Sequence, residues 1–359
     1  MCGSPLFARY DIAGVREDIA AEEFPTNVNS MWRYSQLLPV RSPSCVVSLG
    51  EGWTPLLLSR RLGKHLGLKM LRIKDEAQNP TTSFKDRGLC AAISKHYELG
   101  AKAFALPSAG NAAVSTSAYA AAAGLKSYIF MPADTPLGFF SQCVLFGAVT
   151  HRVEGNISDA GAEMRKQNGD WTDLSTTKEP YRVEGKKTLG FEIAEQMGWS
   201  VPDAIICPTG GGTAIIGIWK AFEEMEAVGL IGKERPKMFA AQSGGCAPIV
   251  RAIEKEMETV ETWVNGETSA LGLRVPSPFA GKLILKAIRE SGGGAVAVAE
   301  QDIQPTRRMA SKLEGLDICP EAAVGICGLS NLVDAGRIDY DEEVVLLNTG
   351  SGARYTGGA

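Results

Sequence analysis

The sequence lacks any uninterrupted apolar run of the ~18–20 residues that a membrane-spanning helix requires. Its first residues, Met1 to Pro5, have no basic flank followed by an apolar core, which a secretory leader would show. Lysine and arginine number 37 against 41 aspartate and glutamate, so there is no positive surplus of the kind that general nucleic-acid binders carry. We therefore expect neither membrane nor nucleic acid as a partner.

Histidine is also scarce. The three histidines, His65, His96 and His151, stand in none of the spacings that bind zinc, and no calcium-loop spacing occurs. Eight cysteines are scattered along a large acidic chain, a pattern typical of reduced thiols and not of a disulfide framework. These absences argue against a metal site and a histidine-based catalytic triad, and they predict a cytoplasmic protein.

Apolar runs that resemble short buried strands alternate with amphipathic or alanine-rich segments. The predicted strands cover residues 69–74, 103–106, 127–131, 204–207, 238–241 and 344–347. Such alternation predicts an α/β architecture that contains parallel sheet. The length of 359 residues favours two lobes, yet no proline- or serine-rich linker separates them. We expect residues 1–88 and 178–359 to form a larger lobe, with residues 89–177 inserted as a smaller one.

Glycine is plentiful, at 40 residues, and several glycines follow predicted strands. Gly210, Gly211, Gly212 and Thr213 come between a strand and a helix start. Without side chains, successive N–H groups can converge on an anion, and the helix dipole and the Thr213 hydroxyl add attraction. This turn therefore predicts a phosphate site. The nucleoside-triphosphate loop pattern is absent, and a tight turn without a ligand remains the alternative.

Two further segments contain candidate functional groups. Ser108 to Asn111 opens a predicted helix, where the first N–H groups and the Ser108 hydroxyl could hold a small anion such as a carboxylate, although helix capping alone also explains the serine. Lys85 lies in a turn among hydroxyl groups and next to Phe84. A desolvated lysine near an anion pocket can form a Schiff base, whereas an isolated lysine is usually a solvated charge.

Taken in order, the segments 83–88, 108–111, 210–213 and 349–352 resemble those of pyridoxal-phosphate enzymes of the tryptophan-synthase-β fold, also called fold type II. Within that superfamily the sequence resembles the threonine synthases most, as segments 31–34, 49–56, 180–188 and 319–321 also indicate. The resemblance covers nearly the whole chain. It implies two interleaved lobes, each a twisted, mostly parallel sheet flanked by helices, and, because such enzymes are commonly dimers, a homodimer.

The resemblance also implies roles for individual residues around a pyridoxal 5'-phosphate cofactor. Lys85 would bind the cofactor aldehyde covalently and later move protons. The remaining cofactor contacts would come from Phe84, from Asn111 at the ring hydroxyl, from Gly210, Gly211, Gly212 and Thr213 at the phosphate, and from Thr349 at the pyridine nitrogen. The substrate would be held by Ser83, by Ser108, Ala109 and Gly110 at its carboxylate, and by Arg182 at a phosphate of its own.

The sequence departs from the family pattern at several positions. Thr176 and Thr177 replace an asparagine and a serine, and Ala112 replaces a threonine that some members place near the substrate phosphate. Thr82 stands where glycine is usual. Residues 2–11 resemble the tail of a small zinc ribbon, but the lone Cys2 cannot complete a four-ligand site, so no zinc is expected.

The implied activity is that of a pyridoxal-phosphate-dependent lyase in threonine biosynthesis, which converts O-phospho-L-homoserine and water to L-threonine and phosphate. One alternative keeps the cofactor and Lys85 but changes the substrate. It is a β-eliminating or β-replacing enzyme that resembles serine/threonine dehydratases or cysteate synthase. The other alternative is a non-catalytic relative that binds an amino acid. Retention of Lys85, Asn111, Arg182 and Thr349 together argues against the latter.

Overall fold

Ten strands form two separate sheets in the computed structural model, which describes residues 4–21 and 27–355. The larger sheet has six strands. In spatial order these are β1 (Leu56–Leu58), β2 (Met70–Asp75), β10 (Glu343–Asn348), β7 (Ala204–Pro208), β8 (Lys237–Ser243) and β9 (Gly294–Val298). Only the edge strand β1 pairs antiparallel, and the other five run parallel.

The smaller sheet has four strands, all parallel. In spatial order these are β5 (Val149–Val153), β4 (Lys126–Pro132), β3 (Ala103–Pro107) and β6 (Thr172–Asp173). Strand β3 has all four residues before Pro107 buried, as expected for a strand covered by helices on both faces.

Twelve α-helices surround the sheets within the described residues. They are α1 (Ile12–Ala21), α2 (Arg60–His65), α3 (Lys85–Glu98), α4 (Asn111–Ala122), α5 (Leu137–Leu145), α6 (Ile157–Gln167), α7 (Tyr181–Gln196), α8 (Thr213–Val228), α9 (Pro248–Glu254), α10 (Gly281–Glu290), α11 (Glu300–Glu314) and α12 (Pro320–Asp334). Short 3-10 turns cover Met31–Leu37, Pro43–Cys45, Glu76–Gln78, Leu271–Leu273 and Ala353–Tyr355. In this part of the chain, no helix combines the length and the apolar character needed to cross a membrane.

The α/β architecture with two mostly parallel sheets is confirmed. All six predicted strands are present, within a few residues of their predicted bounds. Four strands were not predicted, namely β1, β5, β6 and β9, which are short or only partly buried. The lobe limits of 1–88 with 178–359 and of 89–177 stay a prediction. The expectation about Cys2 falls outside the described residues.

A buried ion-pair network joins α3 and α7 to the larger sheet. The Arg87 guanidinium, on α3, donates to Glu76 at 2.6 and 2.7 Å and to Glu192, on α7, at 2.5 and 2.7 Å. Glu192 also accepts from Lys74 of β2 at 2.8 Å. All four side chains are excluded from solvent. Breaking such a buried pair typically costs ~3–5 kcal/mol, so the network holds the start of α3 in a fixed place.

Candidate active site

The carboxyl ends of three neighbouring strands bring together the segments singled out from the sequence. Strands β2, β10 and β7 are adjacent and parallel. The chain beyond β2 leads to Lys85, Thr349 follows β10 directly, and the glycine turn follows β7. Because parallel strands end at the same edge of a sheet, these three segments meet, as ligand-binding loops of open α/β sheets do.

The loops after β2 and β10 are joined by their backbones. The Phe84 N–H donates to the Thr349 carbonyl at 3.0 Å, and the Ser351 N–H donates to the Thr82 carbonyl at 2.9 Å. A Cβ on Gly350 would lie 3.1 Å from the Ser83 Cβ, so the close approach favours glycine there. This contact holds the residue before Lys85 against the end of β10.

A cavity of about 160 Å³ lies between the two sheets at this edge. All but one of the predicted site residues line it, namely Phe84, Lys85, Ser108, Ala109, Gly110, Asn111, Arg182, Gly210, Gly211, Gly212, Thr213 and Thr349. Ser83 is the exception. Its side chain is fully buried, and its hydroxyl accepts the N–H of Lys85 at 3.3 Å. The substrate contact expected of Ser83 stays a prediction.

The glycine turn forms a cradle that side chains would fill. Gly212 has a φ of +79°, in the left-handed region, and a Cβ there would lie 2.2 Å from Ile284 Cδ1. A Cβ on Gly210 would lie 2.6 Å from the Gly272 carbonyl oxygen. Among the described residues, none accepts a hydrogen bond from the N–H groups of Gly210, Gly211 or Gly212. These donors sit at the N-terminus of α8, where a phosphate is electrostatically favoured.

The Lys85 amine opens into the cavity from the first residue of α3. Burial and the nearby Arg182 guanidinium lower the pKa of Lys85 from its ordinary value of 10.5 to about 8, although the Glu321 carboxylate acts in the opposite direction. Its Nζ lies 4.7 Å from the centre of the Phe84 ring. A larger fraction of this amine is therefore uncharged and nucleophilic near neutral pH than in an exposed lysine.

Ser108 and Asn111 both have protein partners at the start of α4. The Ser108 hydroxyl accepts from Ala113 N–H at 3.2 Å and from Gly110 N–H at 3.3 Å, so it caps the helix as the alternative interpretation expects. The Asn111 side-chain oxygen accepts from Arg354 at 2.7 Å. In the described structure, the Ala109 and Asn111 N–H groups have no protein acceptor and can take a ligand at this helix start.

Arg182 lies on α7 and is 3% exposed. Its Nη1 donates to the Leu174 carbonyl at 2.6 Å, whereas no acceptor among the described residues binds its Nε or Nη2. Burial lowers the pKa of this guanidinium below its ordinary value. A buried guanidinium with unfilled donors, lining a cavity, is suited to a doubly charged anion.

Several cavity residues were not predicted from the sequence. Glu321 is 5% exposed, and one of its oxygens accepts from Tyr355 at 2.9 Å and from Gly272 N–H at 2.8 Å. Arg274 lines the cavity and lies 3.7 Å from Asp134, which follows β4 of the smaller sheet. The segment Cys319 to Glu321 carried part of the family resemblance, so its sequence offered a signal for Glu321. No pattern in the sequence indicated Tyr355 or Arg274.

Comparison with known proteins places this site in a family. Residues 47–350 match the family model described as pyridoxal-phosphate dependent enzyme. The chain is 38% identical to the threonine synthase of Methanocaldococcus jannaschii, over 98% of this chain and 87% of that protein. It is also 38% identical to the threonine synthase of Methanosarcina acetivorans, over 97% and 85%. The solved structure of maize serine racemase superposes with a TM-score of 0.71 at 20% identity, over 83% of this chain and 88% of that one.

Proposed function

Because the chain belongs to the pyridoxal-phosphate dependent enzymes and, within them, to the threonine synthase family, we propose that it converts O-phospho-L-homoserine and water to L-threonine and phosphate. One observation carries the choice of substrate. The cavity is lined both by the glycine cradle at α8 and by the unfilled guanidinium of Arg182, and each of these groups is suited to a phosphate. A cofactor phosphate would occupy the cradle, which leaves Arg182 for a phosphorylated substrate.

The residues present fit pyridoxal 5'-phosphate. The free N–H groups of Gly210, Gly211 and Gly212 suit its phosphate, and the Lys85 amine suits its aldehyde. The Thr349 hydroxyl, 3.4 Å from Cys319 Sγ, is the neutral group that we assign to the pyridine nitrogen. When bound, this cofactor supplies an electron sink that acidifies the carbon-bound hydrogens of an amino acid.

Lys85 moves the protons in the proposed reaction. One hydrogen leaves Cα and one leaves Cβ, the Cγ–oxygen bond breaks as phosphate departs, and protons return to Cγ and Cα. Water supplies hydroxide to Cβ and a proton to the phosphate, so the atoms balance. Among the cavity residues, Lys85 is the amine with a lowered pKa, which is the property expected of a group that alternately takes and gives protons near neutral pH.

Arg182 and the start of α4 hold the two ends of the substrate. The Nε and Nη2 groups of Arg182 bind the departing phosphate and stabilise its charge as the bond breaks. The N–H groups of Ala109 and Asn111, with the hydroxyl proton of Ser108, bind the carboxylate. Because Ser108 already accepts two backbone N–H groups, its orientation is fixed before the substrate arrives.

The test is a substrate assay on the purified protein loaded with cofactor. We expect equal amounts of phosphate and L-threonine from O-phospho-L-homoserine. Arg182→Met should raise KM about 10- to 100-fold, because the loss of charge-assisted hydrogen bonds weakens substrate binding by about that factor. The absorbance of the lysine-bound cofactor should remain. Arg72→Met is the control, since Arg72 pairs with Glu343 away from the cavity. Ammonia and a keto acid from L-threonine, with no phosphate from O-phospho-L-homoserine, would contradict the proposal.

Assembly and location complete the proposal. We propose a homodimer, supported by the resemblance to a superfamily whose members are commonly dimers, and sedimentation equilibrium tests it. We also propose a cytoplasmic location. It is supported by the seven cysteines of the described residues, all of which are free thiols.

A further inference from the structure

An arginine in the 3-10 turn after β10 binds three separate segments beside the cavity. Arg354 belongs to the turn Ala353–Tyr355. Its Nη1 donates to the Asn111 side-chain oxygen at 2.7 Å, and its Nε donates to the Gln142 side-chain oxygen at 2.7 Å. Its Nη2 donates to the Thr81 carbonyl at 2.7 Å. Every nitrogen of this guanidinium therefore has an acceptor, and its position is fixed.

The three acceptors come from both sides of the cavity. Asn111 is the first residue of α4 and Gln142 lies on α5, and both helices pack on the smaller sheet. Thr81 belongs to the loop that leads from β2 of the larger sheet to Lys85. Arg354 thus ties the start of α4 to the loop before Lys85.

The guanidinium also determines which end of the Asn111 amide it binds. Because a guanidinium only donates hydrogen bonds, the group 2.7 Å from it must be the amide oxygen and not the amide nitrogen. Among the described residues, the amide nitrogen Nδ2 has one contact, the Tyr355 hydroxyl at 3.5 Å, which is long for a hydrogen bond. Asn111 and Tyr355 both line the cavity. The amide nitrogen of Asn111 is therefore left as a donor for a ligand.

This donor suits an anionic oxygen. Asn111 is the residue that we assign to the ring hydroxyl of pyridoxal 5'-phosphate, whose oxygen is ionised when the lysine-bound cofactor carries its proton on nitrogen. The positive charge of Arg354 at the amide oxygen polarises the amide and strengthens the hydrogen bond that its nitrogen donates. Without Arg354, the amide can turn over and present its own oxygen, which repels an anion.

We propose that Arg354 is a positioning residue, which holds the Asn111 amide so that its nitrogen donates to the ring oxygen of the cofactor. Arg354 does not line the cavity, whereas Asn111 does, so the arginine acts through Asn111. This inference rests on the cofactor site of the proposed function and not on the choice of substrate.

The absorbance of the loaded enzyme tests the inference without turnover. The lysine-bound cofactor absorbs at longer wavelength when its ring oxygen is ionised and at shorter wavelength when that oxygen carries the proton. A donor to the oxygen favours the ionised form. The ratio of short- to long-wavelength absorbance at neutral pH should rise about tenfold in Asn111→Ala, the effect expected for a lost hydrogen bond to a charged group. In Arg354→Met it should rise at least about threefold, because the amide remains but is no longer held.

The double variant shows whether Arg354 acts through Asn111. If it does, adding Arg354→Met to Asn111→Ala should change the absorbance ratio by less than about twofold, since no amide remains to be held. Effects that multiply in the double variant would overturn the inference. They would mean that the arginine acts on the cofactor through its charge or through the fold.

Arg307 provides a matched control. It donates to the Gly352 carbonyl at 3.0 Å and to the Ile318 carbonyl at 2.7 Å, so it holds the same C-terminal segment without binding Asn111. Arg307→Met should lower stability and leave the absorbance ratio unchanged. An equal rise in Arg307→Met and Arg354→Met would assign the effect to a loosened segment and overturn the inference.

A rescue experiment covers the case in which Arg354→Met fails to fold. Arg354→Ala, prepared with methylguanidinium, offers this ion the space of the missing side chain. The absorbance ratio should be that of wild type at saturating methylguanidinium and should rise when the ion is dialysed away. A ratio that does not respond to the ion contradicts the inference.

The outcomes distinguish this inference from the proposed function. A wild-type enzyme that binds pyridoxal phosphate at Lys85 but releases no phosphate from O-phospho-L-homoserine contradicts the proposed function, and the absorbance ratios then decide the inference alone. If wild type releases phosphate and Arg354→Met keeps the wild-type absorbance ratio, only the inference is overturned.

Discussion

Substituting Gly185 by alanine tests the close packing of helices α3 and α7, which fixes the position of Lys85 relative to Arg182. Helix α3 begins at Lys85 and helix α7 contains Arg182, and the two helices touch through glycines. A Cβ on Gly185 would lie 2.0 Å from the Arg87 carbonyl oxygen and 2.9 Å from the Gly88 Cα. Both are backbone atoms, so no side chain can move aside. The helices themselves must separate.

The expected cost follows from two opposing effects. Alanine is favoured over glycine inside a helix by up to ~1 kcal/mol. Overpacking a close contact usually costs ~1–3 kcal/mol. Here the cost is at the upper end or above, because Arg87 ties α3 to Glu192 on α7 through hydrogen bonds of 2.5 and 2.7 Å that the separation stretches. We expect a net loss of about 2–3 kcal/mol in the free energy of unfolding.

Urea unfolding followed by circular dichroism measures this loss, with Gly161→Ala as the matched control. Gly161 also lies inside a helix, but a Cβ there meets nothing closer than 3.4 Å, the end of the Arg165 side chain. The control should be unchanged or more stable by up to ~1 kcal/mol. If Gly185→Ala unfolds at the same urea concentration as wild type or at a higher one, the close helix contact is not the constraint that we infer.

Three further predictions concern the Lys85 amine and the turn before it. Capture of pyridoxal phosphate by the cofactor-free protein, followed by absorbance, should accelerate from pH 7 to pH 9 with a midpoint near 8, because the Lys85 pKa is lowered to about 8 and only the uncharged amine reacts. A midpoint above pH 10 would contradict this. Glu321→Gln should move the midpoint to lower pH, since its carboxylate raises the Lys85 pKa, and an upward or absent shift would refute that assignment. Thr82→Gly should stabilise the protein by about 1 kcal/mol in urea unfolding, because Thr82 has a φ of +57°, and a loss of stability would show that the threonine side chain outweighs the strain.

The sequence predicts the parts of the site that lie at strand ends. Apolar runs identify β2, β7 and β10, and the segments that follow them contain Lys85, the glycine turn and Thr349. A general rule of α/β folds predicts ligand binding at such strand ends. That these three segments share one site followed only from the family resemblance, and the structure places β2, β10 and β7 side by side in one sheet. No comparable rule predicts which side chains orient the site.

Contacts made by packing between distant segments could not be predicted. Glu321, at the start of α12, accepts from Tyr355 and from Gly272 N–H, which come from two other parts of the chain. Lys186 stands between Glu184 and Lys187 in a charged stretch that is usual for an exposed helix. Instead, α7 is covered by α3 and α8, and its whole middle is buried. Only that tertiary packing leaves the Lys186 amine over the Phe84 ring, without a hydrogen-bond acceptor among the described residues.

In the function that we propose, the departures at Thr176 and Ala112 leave the binding of a substrate phosphate mainly to Arg182. Both residues line the cavity. Thr176 presents its methyl group to the glycine turn, since a Cβ on Gly211 would lie 2.9 Å from Thr176 Cγ2. Ala112 offers no side-chain donor. Arg182, by contrast, keeps a buried guanidinium in the cavity whose Nε and Nη2 have no acceptor among the described residues. Its loss should therefore weaken substrate binding more here than in a relative that keeps an asparagine, a serine and a threonine around the same phosphate.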